Sequence, residues 1–385
     1  MALNMDQIAT ELEAANQEGD PAADNLVSDL IDNKEVDGVN GLFRTVNKLG
    51  RGVDLSHLPE RLAQFLHEAE TEPPDWSPAD VKAAEGFFDH HHGTASMLQG
   101  TVGLIGTYLS PTGAYTLRST GRLGGVKGPG RRLQQSSRLF LGMGDRGALR
   151  DGTLAATVTK VRLVHASVRQ LHKKSGQWDY VKWGMPVSQK YTAGAICVFS
   201  VQVLEAMRNL GIQVSRSDAQ GFMCSWHYVN HYLGTPDKWL MPKDVDLVDE
   251  GWRSVRDTEW KETEDGKFMT AQAVTFYREF LTAPGAGDAF VRMVRVALGD
   301  RYADMAGLPP KDALSEAGKF MAAGNKVTNT VGNLFGAPAG RAVGVNPYEE
   351  VIGAASKMFN EVQKQALRRE GDDQPQMHQE LGDDR

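Results

Sequence analysis

The sequence predicts an all-α fold with flexible termini. Three observations carry this prediction. Apolar residues recur at spacings of three and four through nearly every periodic stretch, no run alternates convincingly with the period of two that a strand requires, and no fixed-period repeat is present. A composition of 41% hydrophobic and 24% charged residues over 385 positions excludes disorder and fibrous architecture.

The first 24 residues and residues 366–385 are polar and acidic-rich, and read as frayed or disordered tails. Residues 1–75 form an acidic helical extension, closed by the punctuated linker Glu72-Pro-Pro-Asp-Trp-Ser-Pro78, and the core starts there. A helix from about Ala79 runs to a break at Asp89-His-His-His-Gly93, and a second, small-residue helix covers Thr94 to Leu109. Five glycines and one proline make Gly121 to Gly130 a loop before a helix over Arg131 to Leu141. The next helix, Thr153 to His172, carries the most information. Trp183-Gly-Met-Pro is a turn, Ser188 caps a long apolar helix to Asn209, and Leu210-Gly211 stops it. Ser215 to Asp218 starts a helix that ends at Gly234, and others follow at about Thr270 to Leu281 and Asp288 to Leu298. Residues 311–385 are a C-terminal helical extension and disordered tail, interrupted by the Gly/Ala/Pro-rich Val331 to Val345.

The net charge of −7 argues against non-specific nucleic-acid binding, but it conceals an uneven distribution. Between Leu117 and Lys174 thirteen basic residues face only Asp145 and Asp151, a local +11, and the rest of the chain carries −18. A basic centre of this kind calls for an anionic partner. Cys197 and Cys224 lack metal-ligand spacing and cannot form a disulfide framework, so a reducing compartment is expected. The N-terminus has no signal-peptide pattern and the longest weakly polar run, Thr94 to Leu109, is too short to span a bilayer. A cytoplasmic protein with no integral membrane segment and no nucleic-acid partner is the expectation.

On the helix Thr153 to His172, residues Leu154, Val158, Val161, His165, Val168 and His172 share one face. His165 lies within this apolar stripe. Arg162 and Arg169, three before and four after it, fall to the same side, one turn on either side of the imidazole. Two guanidiniums beside a half-buried imidazole favour its neutral form and bind a fixed anion. That arrangement suits an iron porphyrin, whose iron takes the imidazole nitrogen and whose propionates take the arginines. The plain alternatives are a core histidine bonded to a neighbour and a basic helix edge paired with the acidic tails. Upstream, Arg132 and Ser136 stand at i and i+4 with Leu139 and Phe140 nearby, which suits a propionate or distal-ligand pocket, or else a helix-end cap.

Other histidines carry less. His90, His91 and His92 point about 100° apart on a helix and cannot all face one ion. His227 and His231 have the i, i+4 spacing of zinc-binding helices, but no Glu follows His227 and no third ligand is evident. Met143, Met185, Met207 and Met223 are packing residues in this reading. Gly121 to Gly130 lacks a preceding strand and the GK[ST] ending of a phosphate loop.

Five blocks appear in order: Arg132-Leu-Gln-Gln-Ser136, Val161-Arg-Leu-Val-His-Ala-Ser-Val-Arg169, Trp183-Gly-Met-Pro-Val-Ser-Gln189, Trp226 with Tyr228-Val-Asn-His-Tyr-Leu-Gly234, and Leu298 to Pro309. On these blocks the chain resembles the rubber oxygenase (latex-clearing protein) family, which includes the fungal oxygenase that cleaves the prenyl chain in mycophenolic acid biosynthesis. The resemblance covers about Trp76 to Pro310. It implies a globin-like helical core with additional helices as the catalytic domain over 76–310, haem b held there by His165 as axial iron ligand, Arg162, Arg169 and Arg132 in the cofactor's surroundings, and Arg132, Gln135 and Ser136 as catalytic or distal residues. It also implies dioxygen as co-substrate, an apolar isoprenoid-like substrate and oxidative C=C cleavage, with His231 packed beneath the haem core. Gln135 stands where rubber-cleaving members place a lysine, and Gly113 to Arg132 holds no acidic residue to act as base. Ser188-Gln-Lys190 replaces the family's Asn-Gln-Glu. A haem monooxygenase or peroxygenase of secondary metabolism, and a non-catalytic haem-binding sensor, therefore stand beside the cleavage reading.

Overall fold

The computed structural model describes residues 5–50, 52–120, 136, 138–280, 286–310, 352–353, 355–357, 359–361 and 377, and all regular structure among them is helical. The N-terminal helices are α1 (Met5–Asn16), α2 (Pro21–Asp32), α3 (Val36–Leu42) and α4 (Glu60–Ala69). Helix α5 (Pro78–Leu98) continues through a π-helical turn, Gln99–Gly103, into α6 (Leu104–Tyr108), and α7 (Pro111–Ser119) follows. Then come α8 (Thr153–Ser175), α9 (Tyr180–Trp183), α10 (Gln189–Phe199), α11 (Val201–Asn209) and α12 (Arg216–Tyr232). Helices α13 (Val245–Glu259), α14 (Glu264–Phe280), α15 (Ala286–Leu298) and α16 (Asp300–Met305) complete the described core. No helix among the described residues is long and apolar enough to cross a membrane.

Local chemistry sets the boundaries. Ser77, Ser188 and Ser215 accept hydrogen bonds from the amides of Ala79, Tyr191 and Asp218 at 3.2, 3.2 and 3.0 Å, satisfying donors that a helix start leaves unpaired. Gly176, Gly211 and Gly234 end helices with φ of 64°, 77° and 83°, a conformation that other residues resist. The most extensive helix pair is α5 with α12. Gly221 permits that close approach, since a Cβ there would lie 2.2 Å from the Ala83 carbonyl oxygen. Phe87 and Phe222 stack across the contact with centroids 4.2 Å apart. Helix α8 lies centrally, packed by α2, α4 and α12.

The structure departs from the sequence expectation in five places. Helix α5 runs unbroken through Asp89 to Gly93, and the irregularity falls at the fully buried turn Gln99–Gly103. There the Gln99 amide donates to the Phe199 carbonyl at 3.3 Å and the Tyr277 hydroxyl donates to the Gly100 carbonyl at 3.1 Å, so tertiary contacts stabilise the wider turn. The apolar helix expected from Ser188 to Asn209 is two helices, broken at Ser200 (φ −112°, ψ −90°). Helix α13 has no counterpart in the sequence reading, although Asp244 caps it and Val245, Val248 and Trp252 are buried on one face. The first 24 residues are docked rather than frayed from α1 onwards, with Ala23 fully buried and Asp20 4% exposed. Their acidic groups find buried cations, which composition alone cannot reveal. In the expected tail, Met377 is buried and exchanges two hydrogen bonds with the Asn40 side chain, at 3.0 and 2.9 Å.

Candidate functional site

Helix α8 begins after Gly152 (φ 81°), where a Cβ would collide with the Leu49 carbonyl oxygen, and is buried on most of its circumference. Thr153, Thr157, Val161, Val164 and His165 are only half-buried. Their spacing of three and four makes them one stripe. His165 therefore sits on the partly covered line of an otherwise packed helix, held by a rigid element. His172, two turns further, is the contrasting case. It is 1% exposed, its ring centroid lies 4.5 Å from that of Trp178, and its Nε2 is 2.9 Å from the Ser119 hydroxyl. Ser119 donates its proton to the Thr116 carbonyl, so His172 Nε2 is the donor, which is how a core histidine is satisfied.

Arg162 and Arg169 face carboxylates of the chain itself. Arg162 Nε and Nη2 bind the two oxygens of Asp20 at 2.5 and 2.9 Å, and its guanidinium lies 5.0 Å from the Phe65 ring centroid. Arg169 Nε binds Asp24 at 2.7 Å and Nη1 donates to the Val187 carbonyl at 3.1 Å, while its buried Nη2 has no hydrogen-bond partner among the described residues. Burial pushes the Asp24 carboxyl above the usual carboxylate range, and the Arg169 guanidinium offsets that only in part. Asp20 also caps α2 through the Ala23 amide at 3.3 Å. The anion that the arginines called for is thus, in this structure, the N-terminus of α2.

The turn between α9 and α10 belongs to the same seam. Gly184 (φ 68°) could not carry a Cβ, which would meet Asn16 at 2.4 Å, and the Trp178 indole donates to its carbonyl at 2.8 Å. Val187 adopts φ 47°, a strained value for a β-branched residue, with its carbonyl fixed by Arg169. Gln189 donates to the carbonyls of Gly19 and Gly234 at 2.8 and 3.3 Å, joining the α1–α2 connection to the end of α12. A Cβ on Gly234 would lie 2.3 Å from Arg162 Nε. The Trp-Gly-x-Pro-x-x-Gln block is therefore the knot that ties α2, α8, α10 and α12.

The remaining site residues separate. Ser136 is half-buried; Arg132 and Gln135 lie outside the described residues. His90 and His91 approach one carboxylate oxygen of Asp218 at 3.4 and 3.7 Å, and burial holds the His91 imidazole below its ordinary value, with Asp218 opposing. No metal-binding group of three or more His, Cys, Asp or Glu occurs among the described residues. His227 contacts the Met241 carbonyl at 2.5 Å and Asp75 at 3.0 Å, and His231 contacts the Thr71 carbonyl at 2.9 Å, so both hold the 71–75 linker. Burial presses the His231 imidazole below its ordinary value. Lys243 joins this clamp through Asp75 and, at 2.8 Å, Asp80. Asp20, Asp24 and the part played by Gln189 escaped the sequence reading. The one signal was the −18 surplus outside the basic centre, together with Asp20-Pro21 as a helix start.

The comparisons with known proteins agree on one family. The family described as "ER-bound oxygenase mpaB/B'/Rubber oxygenase, catalytic domain" matches residues 87–325. In class the chain is an oxygenase catalytic domain, and it belongs to this family. The Rubber oxygenase of Streptomyces sp. (strain K30) is 28% identical over 302 residues, covering 77% of this chain and 72% of the relative. The solved structure of latex clearing protein LCP in the closed state aligns with a TM-score of 0.69 at 22% identity, over 90% of this chain and 91% of that one. The resemblance drawn from the five sequence blocks is borne out.

Proposed function

We propose that the chain is a b-type haem oxygenase acting on an apolar, isoprenoid-like substrate, with His165 as the axial ligand of the iron. The observation that carries the reading is the position of His165 on the half-covered stripe of α8, in a chain of the oxygenase family. The relative named for rubber supports a polyisoprene-like substrate.

The residues present fit the group with one revision. An imidazole on a rigid, packed helix suits the iron. Arg162 is spent chiefly on Asp20, and Arg169 keeps one buried donor, Nη2, for a carboxylate of the cofactor. The main work of both arginines in this reading is to lock α8 against α2, which fixes the height and rotation of His165. When bound, the haem supplies the redox chemistry that activates dioxygen. Val161 and Val164 beside His165 give an apolar wall that excludes water. Arg132, Gln135 and Ser136 are the residues whose guanidinium, amide and hydroxyl groups would orient substrate and oxygen in this reading. The buried free thiols Cys197 and Cys224, the former pushed up to about 12 by burial, suit a reducing cytoplasmic setting.

The test is spectroscopic and then chemical. Haem-supplied protein develops a Soret band that His165→Ala lacks or shifts, and an unchanged spectrum in the variant sinks the assignment. Oxygen uptake with carbonyl products from short isoprenoid oligomers marks cleavage, hydroxylated products mark a monooxygenase, and haem binding with no turnover marks a sensor.

A further inference from the structure

A second chamber lies on the far side of α10. Gln189, Thr192, Ile196 and Phe199 share the inward face of that helix, where Phe199 stacks 5.7 Å from Trp226. Lys190, Gly194, Cys197 and Val198, on the other face, line a cavity of about 650 Å³ between α10, α13 and α1. His165 is not among its lining residues. The volume falls within the roughly 300–1,000 Å³ of small-molecule sites, and the wall is mostly apolar.

Its glycines separate into two kinds. A Cβ on Gly106 would meet Val198 at 2.7 Å, so packing requires glycine there. A Cβ on Gly194 of α10 or Gly251 of α13 would meet nothing within 4 Å, although both positions are inside helices, where glycine is disfavoured. These two residues keep open a space that packing does not demand. Trp252 and Trp260, with centroids 5.4 Å apart, form an aromatic wall. Among the lining lysines, Lys190 is paired with Glu259 at 3.0 Å, whereas Lys182, whose ammonium lies 4.3 Å from the Trp183 ring centroid, and Lys261 are exposed and have no carboxylate partner among the described residues. Leu247, 40% exposed, adds an apolar lip.

We propose that this chamber is a second ligand site, for an apolar molecule carrying one carboxylate, with the hydrocarbon against Trp252 and Trp260 and the head group at Lys182 and Lys261. The proposal is independent of the haem reading. Calorimetric titration of the full chain, with and without supplied haem, with dodecanoate and with dodecan-1-ol tests it. Saturable dodecanoate binding is expected, weakened at least about tenfold by Gly194→Leu or Gly251→Leu, because leucine fills the chamber. The double variant Lys182→Gln, Lys261→Gln weakens dodecanoate about tenfold and leaves dodecan-1-ol within about twofold. No saturable binding, or leucine variants that bind as the wild type does, overturns the site, and equal losses for acid and alcohol overturn the head-group assignment. A dodecanoate bearing a photoreactive terminal group gives a readout on the unmodified chain. Adducts within 189–199 or 245–260 support the chamber, and adducts confined to 153–175 overturn it.

Discussion

The two flanks of α8 differ in how completely the chain finishes them. On one flank Arg162 and Arg169 are met by Asp20, Asp24 and the Val187 carbonyl, within a seam where Asp20 and Arg169 are 4% and 5% exposed. On the other, the stripe through Val161 and His165 is only half covered by its own neighbours. Basic residues that look, from spacing, like a cradle for an external anion are spent first on internal ones. A buried guanidinium left without a carboxylate would cost several kcal/mol, so the chain supplies its own. A half-buried imidazole demands less than a buried guanidinium, because its neutral form has no charge to desolvate.

Breaking the seam should hurt far more than altering the stripe. Asp20→Ala strands the Arg162 guanidinium and removes the α2 cap, and should lower unfolding free energy by about 3–5 kcal/mol in urea denaturation. Replacing both partners, Asp20→Leu with Arg162→Met, should recover most of that loss, since no buried charge remains. Gln189→Ala removes two hydrogen bonds from buried carbonyls and should cost about 1–3 kcal/mol, read the same way. His165→Ala should change the stability of haem-free protein by less than about 1 kcal/mol while abolishing the axial-ligand signature, which inverts the seam result. A large loss of stability in that last variant would mean that the stripe is ordinary core.

The smallest effect concerns the clamp on the linker. Burial works against ionisation of Asp75, but hydrogen bonds from Lys243 and His227 win, and its carboxyl sits below the usual range. A depressed folded value means that its stabilisation is fully present above the unfolded value of about 3.9 and is lost as pH falls through the folded one. The difference in melting temperature between wild type and Asp75→Asn should therefore be constant near neutrality and shrink below about pH 4.

Much of the helical framework was legible because capping and stop signals are local. Ser188, Ser215, Gly211 and Gly234 act within a turn of themselves, and the structure uses each as read. The alignment of His165 with Val161 was equally local, being a matter of helical phase. The π turn at Gln99–Gly103 and the break at Ser200 were not legible. The first depends on Phe199 and Tyr277, far along the chain, and the second lies within an unbroken apolar pattern. The seam was invisible for the same reason, since Asp20 and Asp24 belong to a segment whose composition alone resembles a tail.

The pairings that secure α8 also set the tempo of its assembly. Asp20 meets Arg162 across 142 positions, and Asp24 meets Arg169 across 145. Helices form in microseconds from local contacts, but such distant partners must close long loops before they contribute any stability. The segment bearing His165 can thus be helical early and yet acquire its final register only when the opening residues of the chain return to it. Refolding followed at α8 should lag behind the gain of helical signal, with the arrival of α2 as the slow step.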